Sequence, residues 1–74
     1  MSTIEIIHFA ARVRIGSEIE GSRGMVMVVE SITEVGFKGY SKYAFDKFGK
    51  KSTMYLSYET LLNPHYNQEL KIIN

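Results

Sequence analysis

Residues 25–32, Met25-Val26-Met27-Val28-Val29-Glu30-Ser31-Ile32, decide how the chain folds. The run is apolar at nearly every position and dense in β-branched residues, the pattern of a strand buried on both faces. Thr33-Glu34-Val35-Gly36 follows it and predicts a hairpin loop that returns the chain through Phe37. Upstream, residues 16–24, GSEIEGSRG, set three glycines around Ile19 and predict a tight reversal. Ile4, Ile6 and His8 alternate with Glu5 and Ile7, and Val13 and Ile15 alternate with Arg12 and Arg14, so both stretches read as strands. Downstream, Met54, Leu56 and Tyr58 alternate with Thr53, Tyr55 and Ser57, a half-buried strand. Residues 58–62 are too few for more than one 3₁₀ or α turn before Asn63-Pro64, and Leu70, Ile72 and Ile73 predict a last short strand.

Residues 37–49 admit two readings. At period two, Phe37, Gly39, Ser41, Tyr43 and Phe45 share one face; as a helix capped by Ser41, Ala44, Phe45 and Phe48 cluster and Gly49 stands just past the end. The aromatic content favours strand over about 36–45, followed by a Gly-Lys-Lys turn at 49–51, and the choice for 41–49 stays open. Five or six short strands separated by glycine-rich turns predict an all-β sandwich or barrel, and at 74 residues a small barrel is the economical form, since closure removes exposed edges. Residues 13–32, VRIGSEIEGSRGMVMVVESI, resemble the opening of SH3-like barrels of the KOW and Tudor kind: a G-x-x-I segment, a glycine turn, then a G-x-V-x-V-V-x-x-I strand. SYETLLNP at 57–64 is similar to the short turn and proline that often precede the last strand of such barrels. The resemblance covers about two-thirds of the chain and implies a single five- or six-stranded SH3-like barrel over residues 1–74, with one helical turn near 58–62. Glycine and apolar spacing speaks to fold and leaves function to the side chains.

Composition narrows the function classes. The chain is 45% hydrophobic with no Cys, which excludes disulfides and fits a reducing compartment. A single core of this length supplies only about 3–5 kcal/mol, so packing and self-association are the remaining supports. His8 and His65 are the only histidines, and no metal or other cofactor is expected. No stretch approaches the roughly 18 apolar residues of a membrane span, and MSTIEIIHFAARVR carries Glu5 and no basic leader, so the chain reads as cytoplasmic with no membrane contact. Catalysis needs a nucleophile, a base and an orienting group; no serine lies in a G-x-S-x-G elbow, and His8 reads as a sheet-face and His65 as a loop residue. Glu18 and Glu20 fall on one side of a strand or turn and read as solvated charge. Gly16, Gly21 and Gly24 are followed by no Gly-Lys-Ser/Thr ending and read as turn glycines. The chain is expected to be no enzyme.

Charge is unevenly spread. Residues 1–36 hold three Arg against five Glu, a net of −2; residues 37–51, FKGYSKYAFDKFGKK, hold five Lys against Asp46, a net of +4; residues 52–74 carry −1. The same fifteen residues contain Phe37, Tyr40, Tyr43, Phe45 and Phe48, five of the nine aromatics. Lys38, Tyr40, Lys42, Lys47, Phe48, Lys50 and Lys51, together with Tyr55, are therefore the candidate binding residues, while Phe37 and Phe45 are expected in the core. One reading has the lysines on phosphates and the rings as stacking platforms for a single-stranded nucleic acid, a weak and salt-sensitive contact because the segment has no Arg. The favoured reading is a non-catalytic module whose tyrosines, with Met25, Met27 or Met54, engage a protein partner or a second copy. Small size and missing catalytic equipment suit a phage-encoded or accessory regulator that binds a host protein.

Overall fold

The structure is a computed structural model that describes residues 2–21, 24–67 and 70–74. Its elements follow in the order α1 (Thr3–Arg12), β1 (Glu18–Glu20), β2 (Val26–Thr33), β3 (Gly36–Ser41), α2 (Lys42–Phe48), β4 (Thr53–Ser57), α3 (Tyr58–Leu62) and β5 (Lys71–Ile72). The strands form one five-stranded antiparallel sheet in the order β4-β3-β2-β1-β5.

Two expectations are corrected here. The domain is not all-β, and the sheet is not closed into a barrel, because β4 and β5 remain separate edges. Where a barrel would wrap the sheet around its own core, this chain covers the core with α1 and α3.

The opening segment is a helix rather than a strand, and a local signal decides it. Ser2 Oγ accepts the Glu5 N–H at 3.2 Å while Glu5 Oε1 accepts the Ser2 N–H at 3.0 Å, a reciprocal capping box. Ile6, Phe9 and Val13 then recur at helical spacing and are all buried, whereas Ile4 and Ile7 face outward. The alternation of Ile4, Ile6 and His8 was thus a by-product of a 3.6-residue period. Val13 ends the helix in extended conformation, and Ile15 is exposed in the turn that follows, so residues 12–15 form no strand. His8 is exposed on α1, not on a sheet face, and His65 lies in an exposed loop.

The glycine-rich stretch contains a strand as well as turns. Ile19 of β1 is buried opposite Met27, with Glu18 opposite Val28 and Glu20 opposite Val26. Ser22 and Arg23, within the expected reversal, lie outside the described residues. The central strand does form, over Val26–Thr33 with Met25 exposed outside it, but it is buried on one face only: Met27 and Val29 point into the core while Val26 and Val28 are half-buried on the other side. The expected hairpin is present, with Thr33 opposite Gly36 and the Thr33 hydroxyl bridging the loop to the Gly36 carbonyl at 3.0 Å.

The core comprises Ile6, Phe9 and Val13 from the α1 segment, Ile19, Met27, Val29 and Phe37 from the sheet, and Leu61 from α3. Tyr58 sets its ring edge-on to Phe37 at 5.5 Å, and buried Asn67 donates from Nδ2 to the Leu61 carbonyl at 2.7 Å, tying down the chain after α3. Helical residues 58–62 and strands at 53–57 and 71–72 stand where the sequence places them.

Gly39 is the tightest point of the sheet. It pairs with Val29 next to the β-bulge at Glu30, and a Cβ there would run into the Val28 carbonyl, a backbone group that cannot swing aside. Gly39→Ala should therefore cost about 1–3 kcal/mol. Urea denaturation measures it, and a midpoint equal to that of the unaltered chain would refute the close approach.

Candidate functional site

The candidate residues gather on the outward face of the sheet and on α2, which sits at its corner. Ser41 caps α2 by accepting the Ala44 N–H at 3.3 Å, and Gly49, in left-handed conformation at φ 69°, ends it by donating to the Phe45 carbonyl at 2.8 Å. The helical alternative for 41–49 is thus the one realised, and the strand expected over 36–45 stops at Ser41. No α2 residue is fully buried. Phe45, expected in the core, is 38% exposed and packs its ring at a tilt against Tyr40, 5.3 Å between ring centroids. This leaves Tyr43 and Phe48 open to solvent at 65% and 64% exposure.

Lys47 belongs to the same helix surface. Its ammonium donates to the Tyr43 hydroxyl at 2.9 Å and stands 5.3 Å from the Tyr43 ring and 5.7 Å from the Phe48 ring. A second pairing lies at the β4 edge, where Lys38 is opposite Tyr55 and its ammonium is 5.9 Å from that ring. Tyr55, at 74% exposure, is the most exposed of the large hydrophobic side chains described.

Three further lysines, Lys42, Lys51 and Lys71, are tied to acids. Lys42 binds Glu18 at 2.9 Å, and Lys51 binds Glu30 at 3.3 Å while standing 5.0 Å from the Tyr40 ring. Lys71 binds Glu20 at 3.3 Å on the same outward face. The Lys42 ammonium, helped by the Asn74 amide, holds the Glu18 carboxyl below its ordinary range, and Glu18 in turn raises Lys42. Lys50 is exposed and makes no ion pair or ring contact among the described residues. Folding therefore brings the acidic first half against the basic segment.

The eight candidates consequently do not form one positive patch. They resolve into a neutralised centre of Tyr40, Lys42 and Lys51, an aromatic helix surface of Lys47 and Phe48, an edge pair of Lys38 and Tyr55, and the solitary Lys50. Tyr43, a stacking ring in the nucleic-acid reading but not one of the eight candidates, is exposed, and sequence reasoning missed Glu18 and Glu30 as partners. The parity of β1 carried part of the signal, because it put Glu18 and Glu20 together on one side. Glu30 shares the parity of Val26 and Val28 on the outward side of β2, but that Lys51 comes to meet it is shown by the fold alone.

Among the described residues, no three His, Cys, Asp or Glu side chains come together as a metal site, and no helix is long and apolar enough to cross a membrane. The hydroxyls of Ser2, Ser41 and Ser57 each accept a backbone N–H at a helix start, so their place in the structure is capping.

The Glu18–Lys42 pair has a checkable pH signature. With the Glu18 carboxyl lowered from 4.5, its contribution to stability is present above that value and is lost as pH falls through the lowered one. With Lys42 raised from 10.5, its contribution is present below that value and is lost as pH rises through the raised one. In an NMR titration Glu18 should ionise below 4.5, and Lys42→Met should move it back up toward 4.5. A Glu18 titration indifferent to Lys42→Met would show that the ion pair is absent in solution.

Comparison of the chain with protein-family models, curated proteins and solved structures finds no match, so its function has to be read from its own side chains.

Proposed function

We propose that the chain is a non-catalytic binding module that acts through protein–protein contacts of its outward, aromatic face. The observation that carries this reading is the division of labour among the side chains there. Lys42 and Lys51 are satisfied by Glu18 and Glu30, while Tyr43, Phe48 and Tyr55 stay exposed with Lys47 and Lys38 beside their rings. Exposed aromatic surface with internally neutralised charge is the composition of a protein interface, where Tyr and other aromatics anchor and lysine is depleted. The capping duty of the serine hydroxyls supports the non-catalytic reading. The fold reading that accompanies it remains the SH3-like pattern: a four-strand meander, a helical turn at 58–62, and a last strand returning beside the first, supported by the order β4-β3-β2-β1-β5. A small regulator that binds a host protein or itself in a reducing cell compartment is the setting this reading suits.

One observation favours the nucleic-acid alternative, namely Lys47 beside the open rings of Tyr43 and Phe48. A single comparison separates the two. Tagged protein is used to capture partners from native-host extract with and without nuclease, and is titrated with a labelled single-stranded oligonucleotide at low salt. Protein contact predicts nuclease-resistant capture that Tyr43→Ala with Phe48→Ala abolishes while the circular-dichroism spectrum is retained, and no oligonucleotide binding. Oligonucleotide binding that falls steeply with salt, and is lost when Lys42, Lys47, Lys50 and Lys51 become Glu, would reverse the order of the two readings.

A further inference from the structure

We infer that the free edge of β4 is a self-association surface, at which β4 pairs antiparallel with β4 of a second copy about a two-fold axis through Tyr55. The inference rests on the reading as a protein-contact module and names one partner, a second copy of this chain.

The phase of the ladder carries the first part. Ser41 donates to the Ser52 carbonyl at 3.2 Å and Tyr58 donates to the Val35 carbonyl at 2.9 Å, which places the hydrogen-bonded pairs of the β3–β4 ladder at alternate positions that include Met54 and Leu56. Thr53, Tyr55 and Ser57 therefore turn their backbone N–H and C=O groups away from β3, toward the open edge. Nothing on the strand guards that edge: residues 53–57, TMYLS, contain no charge and no proline, the usual devices against strand addition.

Symmetry carries the second part. With Tyr55 opposite its own copy, Thr53 falls opposite Ser57, so all the outward-pointing backbone groups face one another in register. On the outward face this matches ring with ring and hydroxyl with hydroxyl; on the inward face it sets Met54 opposite Leu56, both half-buried and apolar. Because the strand is uncharged, a two-fold pairing meets no like-charge repulsion. Beyond its ends, the same alignment brings the 50–51 turn of one chain beside the start of α3 of the other. Lys50 and Glu59 are exposed there and lack an ion pair among the described residues, so opposite charges meet at both ends of the joint.

The test uses the residue on the axis. In sedimentation equilibrium the unaltered chain should show a reversible monomer–dimer equilibrium. Tyr55→Lys and Tyr55→Glu should each weaken it by about tenfold or more, an equimolar mixture of the two should recover the dimer, and Tyr55→Phe should keep it. Backbone amide exchange gives a readout independent of the variants: the Tyr55 N–H of the unaltered chain should gain protection as concentration rises. A chain that stays monomeric at all concentrations, a dimer that Tyr55→Lys and Tyr55→Glu leave intact, or assembly beyond two chains would each overturn the inference. None of these would touch capture of another protein through Tyr43 and Phe48, which fails or survives separately.

Discussion

The structure depends on the burial of Phe9, with Ile6 and Val13 on either side, against Ile19, Val29, Phe37 and Leu61. A five-stranded sheet has two faces and, at this chain length, apolar residues enough to bury one. Once α1 and α3 take the inward face, the sheet has no need to curl around itself, and its ends stay apart. The consequence runs through the rest of the molecule. The outward face is left to polar and aromatic side chains, and the edges are left to whatever can pair with them.

On that outward face, charge is arranged by topology. Antiparallel pairing of β1 with β2 and of β2 with β3 carries Glu18 to within reach of Lys42, and Glu30, on the same side of β2 as Val26 and Val28, meets Lys51. Segments that differ in net charge along the chain thus cancel in space. What is left exposed is aromatic: Tyr43 and Phe48 on α2, and Tyr55 on β4. The same economy appears in the hydroxyls, since Ser2, Ser41 and Ser57 close helix ends and Thr33 closes the hairpin.

Legibility of the fold varied with how locally each element was specified. The strands at 26–33 and 53–57 and the hairpin at 33–36 were readable, because β-branched runs and a glycine-ended loop state themselves within a few residues. The α1 helix was misread. Ile4, Ile6 and His8 satisfy an alternating pattern, while the deciding signal lay in Ser2 and Glu5, three residues apart and one turn ahead of the apolar set. For 41–49 both readings were visible, and the caps at Ser41 and Gly49 outweighed aromatic strand preference. The candidate residues were legible as a group but not as an arrangement, since pairing of Lys42 with Glu18 spans 24 positions of sequence.

By itself the sequence determined a small β-rich chain without disulfides, its central strand and hairpin, and the concentration of lysine and aromatic residues between 37 and 51. Those properties are local, set by backbone preference and composition. The tertiary structure alone decided that the sheet stays open, which lysines are neutralised and which rings remain exposed. Each of these depends on which distant segments come to lie side by side, and strand order and the covering helices settle that where spacing along the chain does not.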